Sequence, residues 1–344
     1  MLVNIKDLDL TELEEWLISQ GMPRYRGVQI FQWIHKHRVR SYDRMTNLPK
    51  GLREDLKAEA PLFWPRVIQE QVSAVDGTQK LLLELEDGER IETVLIPHKY
   101  GNSICVSSQV GCALACSFCA TGISGFKRNL TVAEMVDQVL SFAEPVSSIV
   151  MMGMGEPLLN LENVLKFLAI IHNEHGFGIG YRHMTISTAG IPPGIRRLAD
   201  TGLPITLAIS LHAPNDRLRS ELMPINKKYP ISSVLDAADY YAAQTGRRYT
   251  LEYVLIDDVN DRAELARELV RLAKGRLCHV NLIPLNTMAE KNFERSRDKK
   301  VETFSKVLES GGIPVTVRRE MGSDIDAACG QLRSRMEVEA LGEE

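Results

Sequence analysis

From residue 103 onward, apolar segments of strand length alternate with amphipathic segments of helix length, and no other feature of the sequence restricts the fold as much. Predicted strands cover residues 104–109, 147–152, 183–187, 204–210, 249–256 and 280–284, and a last strand covers 313–319. Predicted helices cover residues 132–142, 161–172, 194–199, 233–243, 262–273 and 300–311. Six strand–helix units predict an α/β fold with a parallel sheet and outer helices, either open and doubly wound or curled into a partial barrel.

The residues before this region predict a smaller helical unit and a β-hairpin. Apolar residues recur at helical spacing in three segments before residue 60. Segments 80–86 and 91–96 have the composition of strands and flank Asp87-Gly88, a dipeptide typical of hairpin turns. The predicted division is a helical accessory domain over 1–62, a linker with the hairpin over 63–102, the α/β unit over 103–320 and a C-terminal segment over 321–344.

Three of the six cysteines, Cys112, Cys116 and Cys119, lie close together after the first predicted strand of the α/β unit. Three thiolates on one loop can converge on soft metal ions, which favours an iron–sulfur cluster. A [4Fe-4S] cluster with three protein ligands leaves one iron open to a substrate. Zinc is the alternative, but zinc sites usually take four ligands in paired clusters, and no second Cys or His pair lies near this triplet in the sequence.

Glycines and polar residues recur directly after the predicted strands. Residues 153–157 follow the second strand, Ser187 ends the third, residues 210–212 follow the fourth and Asn286 follows the sixth. The carboxyl ends of parallel strands lie on one face of a sheet or barrel, where ligands bind. These residues are therefore predicted to surround one cavity together with the cysteine loop.

The cysteine spacing is the signature of radical S-adenosylmethionine (SAM) enzymes, and further stretches resemble the RlmN/Cfr family of RNA methyltransferases. These stretches are residues 105–111, Met-Met-Gly-Met-Gly-Glu-Pro at 151–157, 210–216 and Asp-Ile-Asp-Ala-Ala-Cys-Gly-Gln-Leu at 324–332. The resemblance covers nearly the whole chain. It implies a partial (β/α)6 radical SAM barrel, a [4Fe-4S] cluster on the three clustered cysteines, and SAM as cofactor. The residues it places around SAM are Gly155, Glu156, Ser187, Ser210, Leu211, His212 and Asn286.

The resemblance also implies roles for Cys329, Cys105 and Glu92. In the family, the position of Cys329 takes a methyl group from one SAM, and a second SAM is cleaved to a 5′-deoxyadenosyl radical. This radical removes hydrogen from the S-methyl group, and the methylene radical then adds to an adenine carbon. The thiolate of the cysteine at the Cys105 position then attacks the sulfur of the cysteine at the Cys329 position, so that a disulfide forms and the RNA is released. The position of Glu92 accepts the proton that restores the aromatic base.

The residues alone leave simpler interpretations of these positions open. Cys105 and Cys329 could be small buried apolar residues, as cysteines outside disulfides usually are. Glu92 interrupts a strand of apolar residues, so strand alternation directs it either to solvent or into the site. Cys278 matches no family position and is predicted to belong to the core.

Charge distribution is compatible with an RNA substrate. The net charge of −4 argues weakly against nucleic-acid binding, because phosphate contacts depend on Lys and Arg. Residues 20–50, however, carry seven Lys and Arg against one acidic residue, interleaved with aromatic residues. Such a segment is typical of an RNA-binding surface, although a solvated charged face has the same composition.

The resemblance implies 23S rRNA and tRNA as substrates, a flavodoxin-type electron donor and a monomeric enzyme. The motifs are more similar to the branch that methylates adenine C2 than to the branch that methylates C8. A non-catalytic RNA-binding or assembly protein that keeps the cluster is the competing hypothesis, and the pair Cys105 and Cys329 favours the enzyme. Residues 287–292 depart from the family, because they lack its usual loop containing Gly and Pro.

The cellular location is predicted from the cysteines and the chain start. Six cysteines, half of them clustered, do not resemble a secreted disulfide framework. The first residues lack the basic and apolar segments of a signal peptide, and no apolar run is long enough for a membrane span. We therefore expect a protein of the reducing cytoplasm without a membrane partner.

Overall fold

Among the residues that the structure describes, ten strands form one sheet, and a separate pair of strands flanks the cysteine loop. The computed structural model describes residues 2–122, 125–285, 293–319, 321–322 and 324–325. The strands are β1 (Arg66–Val72), β2 (Gln79–Glu84), β3 (Arg90–His98), β4 (Gly101–Cys105), β5 (Gln109–Gly111), β6 (Phe126–Asn129), β7 (Val146–Met151), β8 (Met184–Thr188), β9 (Thr206–Ser210), β10 (Tyr249–Leu255), β11 (Cys278–Pro284) and β12 (Val315–Val317). The α-helices are α1 (Leu10–Ser19), α2 (Tyr25–Phe31), α3 (Lys50–Glu59), α4 (Val132–Leu140), α5 (Leu161–His172), α6 (Pro192–Asp200), α7 (Asp216–Leu222), α8 (Ile231–Thr245), α9 (Ala263–Ala273) and α10 (Asp298–Ser310).

The strand order decides between the two predicted architectures. The sheet runs β1-β2-β3-β4-β7-β8-β9-β10-β11-β12, and every pair from β4 to β12 is parallel. A doubly wound sheet would reverse its strand order partway. Here the winding keeps one direction, and right-handed crossovers then place all intervening helices on the same side, so that the sheet curls around its other face. The partial (β/α)6 barrel is confirmed, and the open doubly wound alternative is wrong.

The pairing register separates the two faces of the curled sheet. Met151, Ile186 and Leu207 lie in one row across β7, β8 and β9, and all three are buried under the helices. A row on the inner face, three residues further along β9, contains Ser210, Glu252 and Asn281 of β9, β10 and β11. The outer face is therefore the aliphatic core, whereas the inner face carries polar side chains.

Several predicted elements required correction. The first predicted strand, 104–109, is too long because β4 ends at Cys105. The next residues leave the sheet, since Ser107 Oγ accepts a hydrogen bond from the Met154 amide and Ser108 donates its own amide proton to the Met154 carbonyl. The hairpin of β2 and β3 is confirmed, but the antiparallel strand β1 beside it was not predicted. The pair β5 and β6 and the helix α7 were also not predicted.

The N-terminal helices dock on the barrel through a buried ion pair. Lys6 and Asp137 of α4 are both buried and form a hydrogen-bonded salt bridge, and the Lys6 ammonium also lies 4.2 Å from the centre of the Trp64 ring. The Asp7 carboxylate accepts a hydrogen bond from the Ala133 amide in the first turn of α4. Within the part of the chain that the structure describes, no helix is both long and apolar enough to cross a membrane.

His35 lies at the contact between the N-terminal helices and the loop after α5. Its ring centre is 4.2 Å from that of Phe31 and 5.7 Å from that of Phe177. Its buried Nδ1 has no hydrogen-bond partner among the described residues. Burial, reinforced by the nearby Lys6 charge, lowers the pKa of His35 from 6.5 to about 3. The imidazole is therefore neutral in the folded protein at physiological pH.

This depressed pKa makes the stability depend on pH. Below about pH 6.5 the unfolded chain protonates this imidazole, whereas the folded protein does so only near pH 3. The free energy of unfolding should therefore fall as the pH falls, by about 1.4 kcal/mol per pH unit from this group. His35→Leu should remove that contribution from the pH slope of urea unfolding, and His37→Leu, at an exposed neighbour, should retain it. Equal slopes for the wild type and His35→Leu would contradict this assignment.

Candidate functional site

A cavity of about 310 Å³ opens at the carboxyl ends of the barrel strands, next to the cysteine loop. Its lining includes eight of the predicted site residues: Cys112, Cys116, Cys119, Gly155, Glu156, Ser187, Ser210 and His212. Leu211 is instead buried in the core, and its backbone amide donates to the Glu252 carbonyl. Asn286, Cys329 and the loop 287–292 lie outside the described residues.

The cysteine loop is held at its base by β5 and β6. Gly111 has a φ of +72°, and a Cβ atom there would lie 1.7 Å from the Gly125 carbonyl oxygen, so only glycine fits. The Cys112 amide donates to that same carbonyl at 2.9 Å. This close approach turns the chain at the start of the loop and directs the following cysteines toward the cavity.

The donor set of the loop suits a cluster. Burial raises the pKa of Cys112 to about 11 and that of Cys116 to about 12, and neighbouring thiols add to both effects. A soft cation that coordinates the thiolates would offset this cost. All three cysteines line the same cavity. Three thiolates at one site match the ligand set of an iron–sulfur cluster with one open iron, whereas structural zinc sites take four protein ligands.

The glycine motif after β7 is packed tightly against the segment that follows β4. A Cβ atom on Gly153 would lie 2.6 Å from Ser107 Oγ, and one on Gly155 would lie 2.5 Å from Gln109 Cβ. Gly155 also has a φ of +98°. The Glu156 amide donates to Gln109 Oε1 at 2.8 Å. Glycine, which has no Cβ atom, therefore lets the backbone at both positions pack closely against Ser107 and Gln109.

The Glu156 side chain binds backbone amides of the protein in this structure. Its buried carboxylate accepts hydrogen bonds from the Ala189 amide at 2.7 Å and from the Leu158 amide at 3.1 Å. Burial raises its pKa, and these hydrogen bonds oppose the shift. The side chain thus connects the end of β7 to the end of β8, where Ser187 lines the cavity.

Arg219 of α7 connects the ends of β8 and β9, and sequence reasoning missed it. Its fully buried guanidinium donates to the carbonyls of Ala189 at 2.6 Å, Ser210 at 3.1 Å and Leu211 at 3.1 Å, and to Asn226 Oδ1 at 2.9 Å. Burial lowers its pKa to about 10. The only sequence signal is its place three residues after Asp216, in a helix capped by Asn215 and absent from the prediction.

His212 is fixed as a neutral donor to the cavity. Its Nδ1 accepts a hydrogen bond from the Val254 amide at 3.0 Å, so that the proton lies on Nε2. Burial lowers its pKa to about 3. Its backbone has a φ of +57°, and the Asn260 amide group donates to its carbonyl at 2.9 Å. The Phe118 ring from the cysteine loop packs edge-on against the imidazole.

The cavity contains a carboxylate that was not predicted. Glu252 of β10 lines it, is buried and accepts a hydrogen bond from Asn281 Nδ2 at 2.8 Å. Burial raises its pKa, while Asn281 and Arg318 oppose the shift. In the sequence Glu252 looks like one polar residue in an apolar strand. Only the register of β9, β10 and β11 shows that it lies on the inner face.

Cys105 and Glu92 lie on the same inner face but not in the cavity lining. Cys105 pairs with Val94 of β3 and with Val150 of β7, and Glu92 lies two residues from Val94. Glu92 is buried, with its carboxylate 3.5 Å from the buried Lys80 ammonium, so the solvent-facing interpretation is wrong. The Cα atoms of Glu92 and Cys105 are about 8 Å apart on an ideal sheet grid.

Two further predictions concern Cys278 as a core residue and a disulfide. Cys278 is buried, as predicted for a core residue. No disulfide joins any two of the five cysteines that the structure describes. The expected disulfide between Cys105 and Cys329 falls outside the described residues, because Cys329 is not among them.

Comparison with known proteins covers nearly the whole chain. Residues 106–270 match the profile of the radical SAM superfamily, and residues 3–62 match that of the ribosomal RNA large subunit methyltransferase N-terminal domain. A probable dual-specificity RNA methyltransferase RlmN from Clostridium novyi is 49% identical over 96% of this chain and 97% of its own. One from Symbiobacterium thermophilum is 49% identical over 97% of this chain and 92% of its own. The crystal structure of a radical SAM methyltransferase from Sphaerobacter thermophilus has a TM-score of 0.93 and 48% identity, and the match covers 96% of this chain and 99% of that one.

Proposed function

Because this chain belongs to the RlmN family of radical SAM RNA methyltransferases, we propose that it methylates C2 of a specific adenosine in 23S rRNA and also acts on tRNA. The similarity to relatives named dual-specificity RNA methyltransferases, over 96% of the chain, carries this proposal. The placement of Cys105 and Glu92 on the same barrel face as the cavity supports it. The reaction consumes two SAM molecules, one for the methyl group and one for the radical.

Cys112, Cys116 and Cys119 would hold the [4Fe-4S] cluster that this family uses with SAM. When bound, the cluster supplies the electron that cleaves SAM to methionine and a 5′-deoxyadenosyl radical. The protein contributes a cavity about the size of a small ligand, with mainly apolar walls that exclude water. Excluding water protects a carbon radical from side reactions.

The SAM-binding groups in this proposal are the ends of β7, β8 and β9. The backbone of residues 153–155 binds the methionine amino group, and the hydroxyls of Ser187 and Ser210 bind the carboxylate and ribose. The Nε2 proton of His212 is available as a donor, because Nδ1 is already an acceptor. Asn286 completes the set from the sequence match. Arg219 and Glu156 act by holding these strand ends in place.

The transfer itself uses three side chains. Cys329 accepts the methyl group from SAM, and after hydrogen removal its methylene carbon bonds to adenine C2. Glu92 accepts the C2 proton, and the buried Lys80 compensates its charge. As the C2 proton leaves, the adduct radical returns the electron that was supplied for SAM cleavage. Cys105 then attacks the Cys329 sulfur and breaks its bond to the methylene carbon. That carbon keeps the electron pair of the bond and takes up a proton to become the methyl group, so that a disulfide remains on the protein and the methylated RNA is released.

We assign RNA binding to the N-terminal helices, but to fewer basic residues than the sequence suggested. Several basic residues of the 20–50 segment serve the protein itself: Arg38 donates to carbonyls at the end of α4, and Arg24 pairs with Glu14. Lys36, Arg44 and Lys50 are exposed. In this proposal these three side chains contact the RNA phosphates. The proposal also includes a monomer in the cytoplasm and a flavodoxin-type electron donor.

Anaerobic reconstitution tests this proposal. The purified protein, loaded with iron and sulfide, is incubated with reductant, SAM and unmodified 23S rRNA fragments or tRNA, and the nucleosides are analysed by mass spectrometry. We expect 2-methyladenosine from both RNAs, and none from Cys116→Ala. The 8-methyl isomer would move the enzyme to the C8 branch. Absence of both methylated nucleosides would favour a non-catalytic RNA-binding protein.

A further inference from the structure

The start of the C-terminal segment is hydrogen-bonded to the turn between β1 and β2. The Asp324 carboxylate accepts from Ser73 Oγ at 2.5 Å and from the Ala74 amide at 2.8 Å. In the opposite direction, the Asp76 carboxylate accepts from the Gly322 amide at 2.7 Å. Each segment therefore supplies both a carboxylate and donors to the other. We call these five residues the C-terminal clamp.

The turn is ordered independently of the segment that it binds. The Ser73 amide donates to the Thr78 carbonyl at 2.8 Å, and Asp76 Oδ1 accepts from the Thr78 amide at 3.0 Å. Ser73 Oγ also accepts from the amides of Val75 and Asp76, both at 3.2 Å. The Ser73 hydroxyl and the Ala74 amide are thus preset donors, which reduces the entropy lost when the C-terminal segment binds.

Both carboxylates of the clamp are ionised at neutral pH. The hydrogen bond from Ser73 lowers the pKa of Asp324. Although burial acts in the opposite direction, hydrogen bonds from Gly322 and Thr78 lower the pKa of Asp76 to about 2. Hydrogen bonds to ionised acceptors are about twice as strong as neutral ones, so the clamp is stronger than its number of bonds suggests.

The register places the clamp within reach of Cys105. Ser73 pairs with Thr78, which lies two residues before Lys80, and Lys80, Val94 and Cys105 form one row across β2, β3 and β4. On an ideal sheet grid the Cα atoms of Ser73 and Cys105 are roughly 16 Å apart. Cys329 is five residue steps after Asp324, and five steps of extended chain span at most ~17 Å.

We propose that Asp324 and Asp76 are positioning residues, which hold the C-terminal segment so that Cys329 can reach Cys105 and the cavity. The inference rests on the role proposed above for Cys329 and adds the device that delivers this residue. A clamp on one side of Cys329 restricts the volume that its thiol can sample and so raises its effective concentration at the site.

The test compares Asp324 variants in the reconstituted enzyme with SAM and reductant. We expect Asp324→Ala to lower the S-methylated fraction of the peptide containing Cys329 by on the order of 10-fold or more, since two hydrogen bonds to a charged group are lost. Release of 5′-deoxyadenosine in the absence of RNA should stay within about twofold of wild type, because the cavity is unchanged. Asp324→Asn, which can still accept from the Ala74 amide, should be intermediate.

Two controls make the result decisive. Asp236→Ala changes an exposed carboxylate on α8 and should behave as wild type in both assays. Hydrogen exchange of the Ala74 amide should accelerate in Asp324→Ala but not in Asp236→Ala. If Asp324→Ala does not fold, Ser73→Ala removes one bond to the same carboxylate and should give a smaller loss of methylation.

The outcomes separate the clamp from the proposed function. Normal Cys329 methylation in Asp324→Ala would overturn the clamp while leaving the methyltransferase intact. A wild-type enzyme that cleaves SAM but never methylates Cys329 or RNA would instead overturn the proposed function. Loss of methylation together with an equal loss of 5′-deoxyadenosine would indicate general damage and would also overturn the positioning role.

Discussion

Cys105→Ala is expected to stop the reaction with RNA covalently attached to Cys329. In the proposed sequence the carbon–sulfur bond between Cys329 and the base breaks only when the Cys105 thiolate attacks that sulfur. Without this thiolate, release of methylated RNA should fall by on the order of 100-fold or more, as for loss of other reacting groups. A labelled RNA should then migrate with the protein on a denaturing gel, and mass spectrometry should locate the adduct on the peptide containing Cys329.

The matched control is Cys278→Ala. Cys278 is also a buried cysteine in the barrel sheet, but its Sγ lies against the Ala273 carbonyl, away from the cavity. This variant should release methylated RNA like the wild type. Normal release of methylated RNA by Cys105→Ala would remove Cys105 from the mechanism, and adduct formation in both variants would show that the effect is not specific.

Arg219→Met should lower the free energy of unfolding by about 3–5 kcal/mol. The substitution keeps the side-chain bulk, but the carbonyls of Ala189, Ser210 and Leu211 lose a buried charged donor. Each buried acceptor left without a partner costs about 1–3 kcal/mol. Urea unfolding measures the loss, and SAM binding should weaken with it because the ends of β8 and β9 are no longer tied together.

Arg217→Met provides the comparison on the same helix. Arg217 is exposed, whereas Arg219 is fully buried, so the control changes the same charge in α7 without orphaning any carbonyl. Its unfolding free energy should stay within about 0.5 kcal/mol of wild type. A similar small change in Arg219→Met would mean that water or other donors replace the guanidinium.

The strand–helix alternation was sufficient to predict a parallel sheet with outer helices, because buried parallel strands and amphipathic helices have clear periodicities. The choice of a partial barrel over an open sheet came from the family resemblance. The strand β1 was missed since it lies at the sheet edge with polar residues on both faces. The helix α7 was missed because seven residues are too short for a clear apolar stripe. The cysteine loop and the glycine motif could be located by their residue types alone.

The remaining site residues depend on long-range register. Glu252 and Lys80 are single polar residues in apolar strands, and only the pairing of neighbouring strands places them on the inner face. Arg219 donates hydrogen bonds to the carbonyls of Ala189, Ser210 and Leu211, which lie 30, 9 and 8 residues away in the sequence. The bond of Asp324 to Ser73 joins residues 251 positions apart. No local pattern predicts such contacts.

In the proposed reaction the methyl carbon passes through Cys329 as a radical before it reaches RNA, and deuterium labelling follows the hydrogen atoms of that carbon. The enzyme is incubated with SAM that carries a CD₃ methyl group, and the methylated adenosine and the 5′-deoxyadenosine are analysed by mass spectrometry. Hydrogen removal from the S-methyl group predicts a product methyl with two deuterium atoms and 5′-deoxyadenosine with one. An intact CD₃ group in the methylated adenosine would contradict a route through Cys329. Formation of methylated adenosine by Cys329→Ala would contradict it as well.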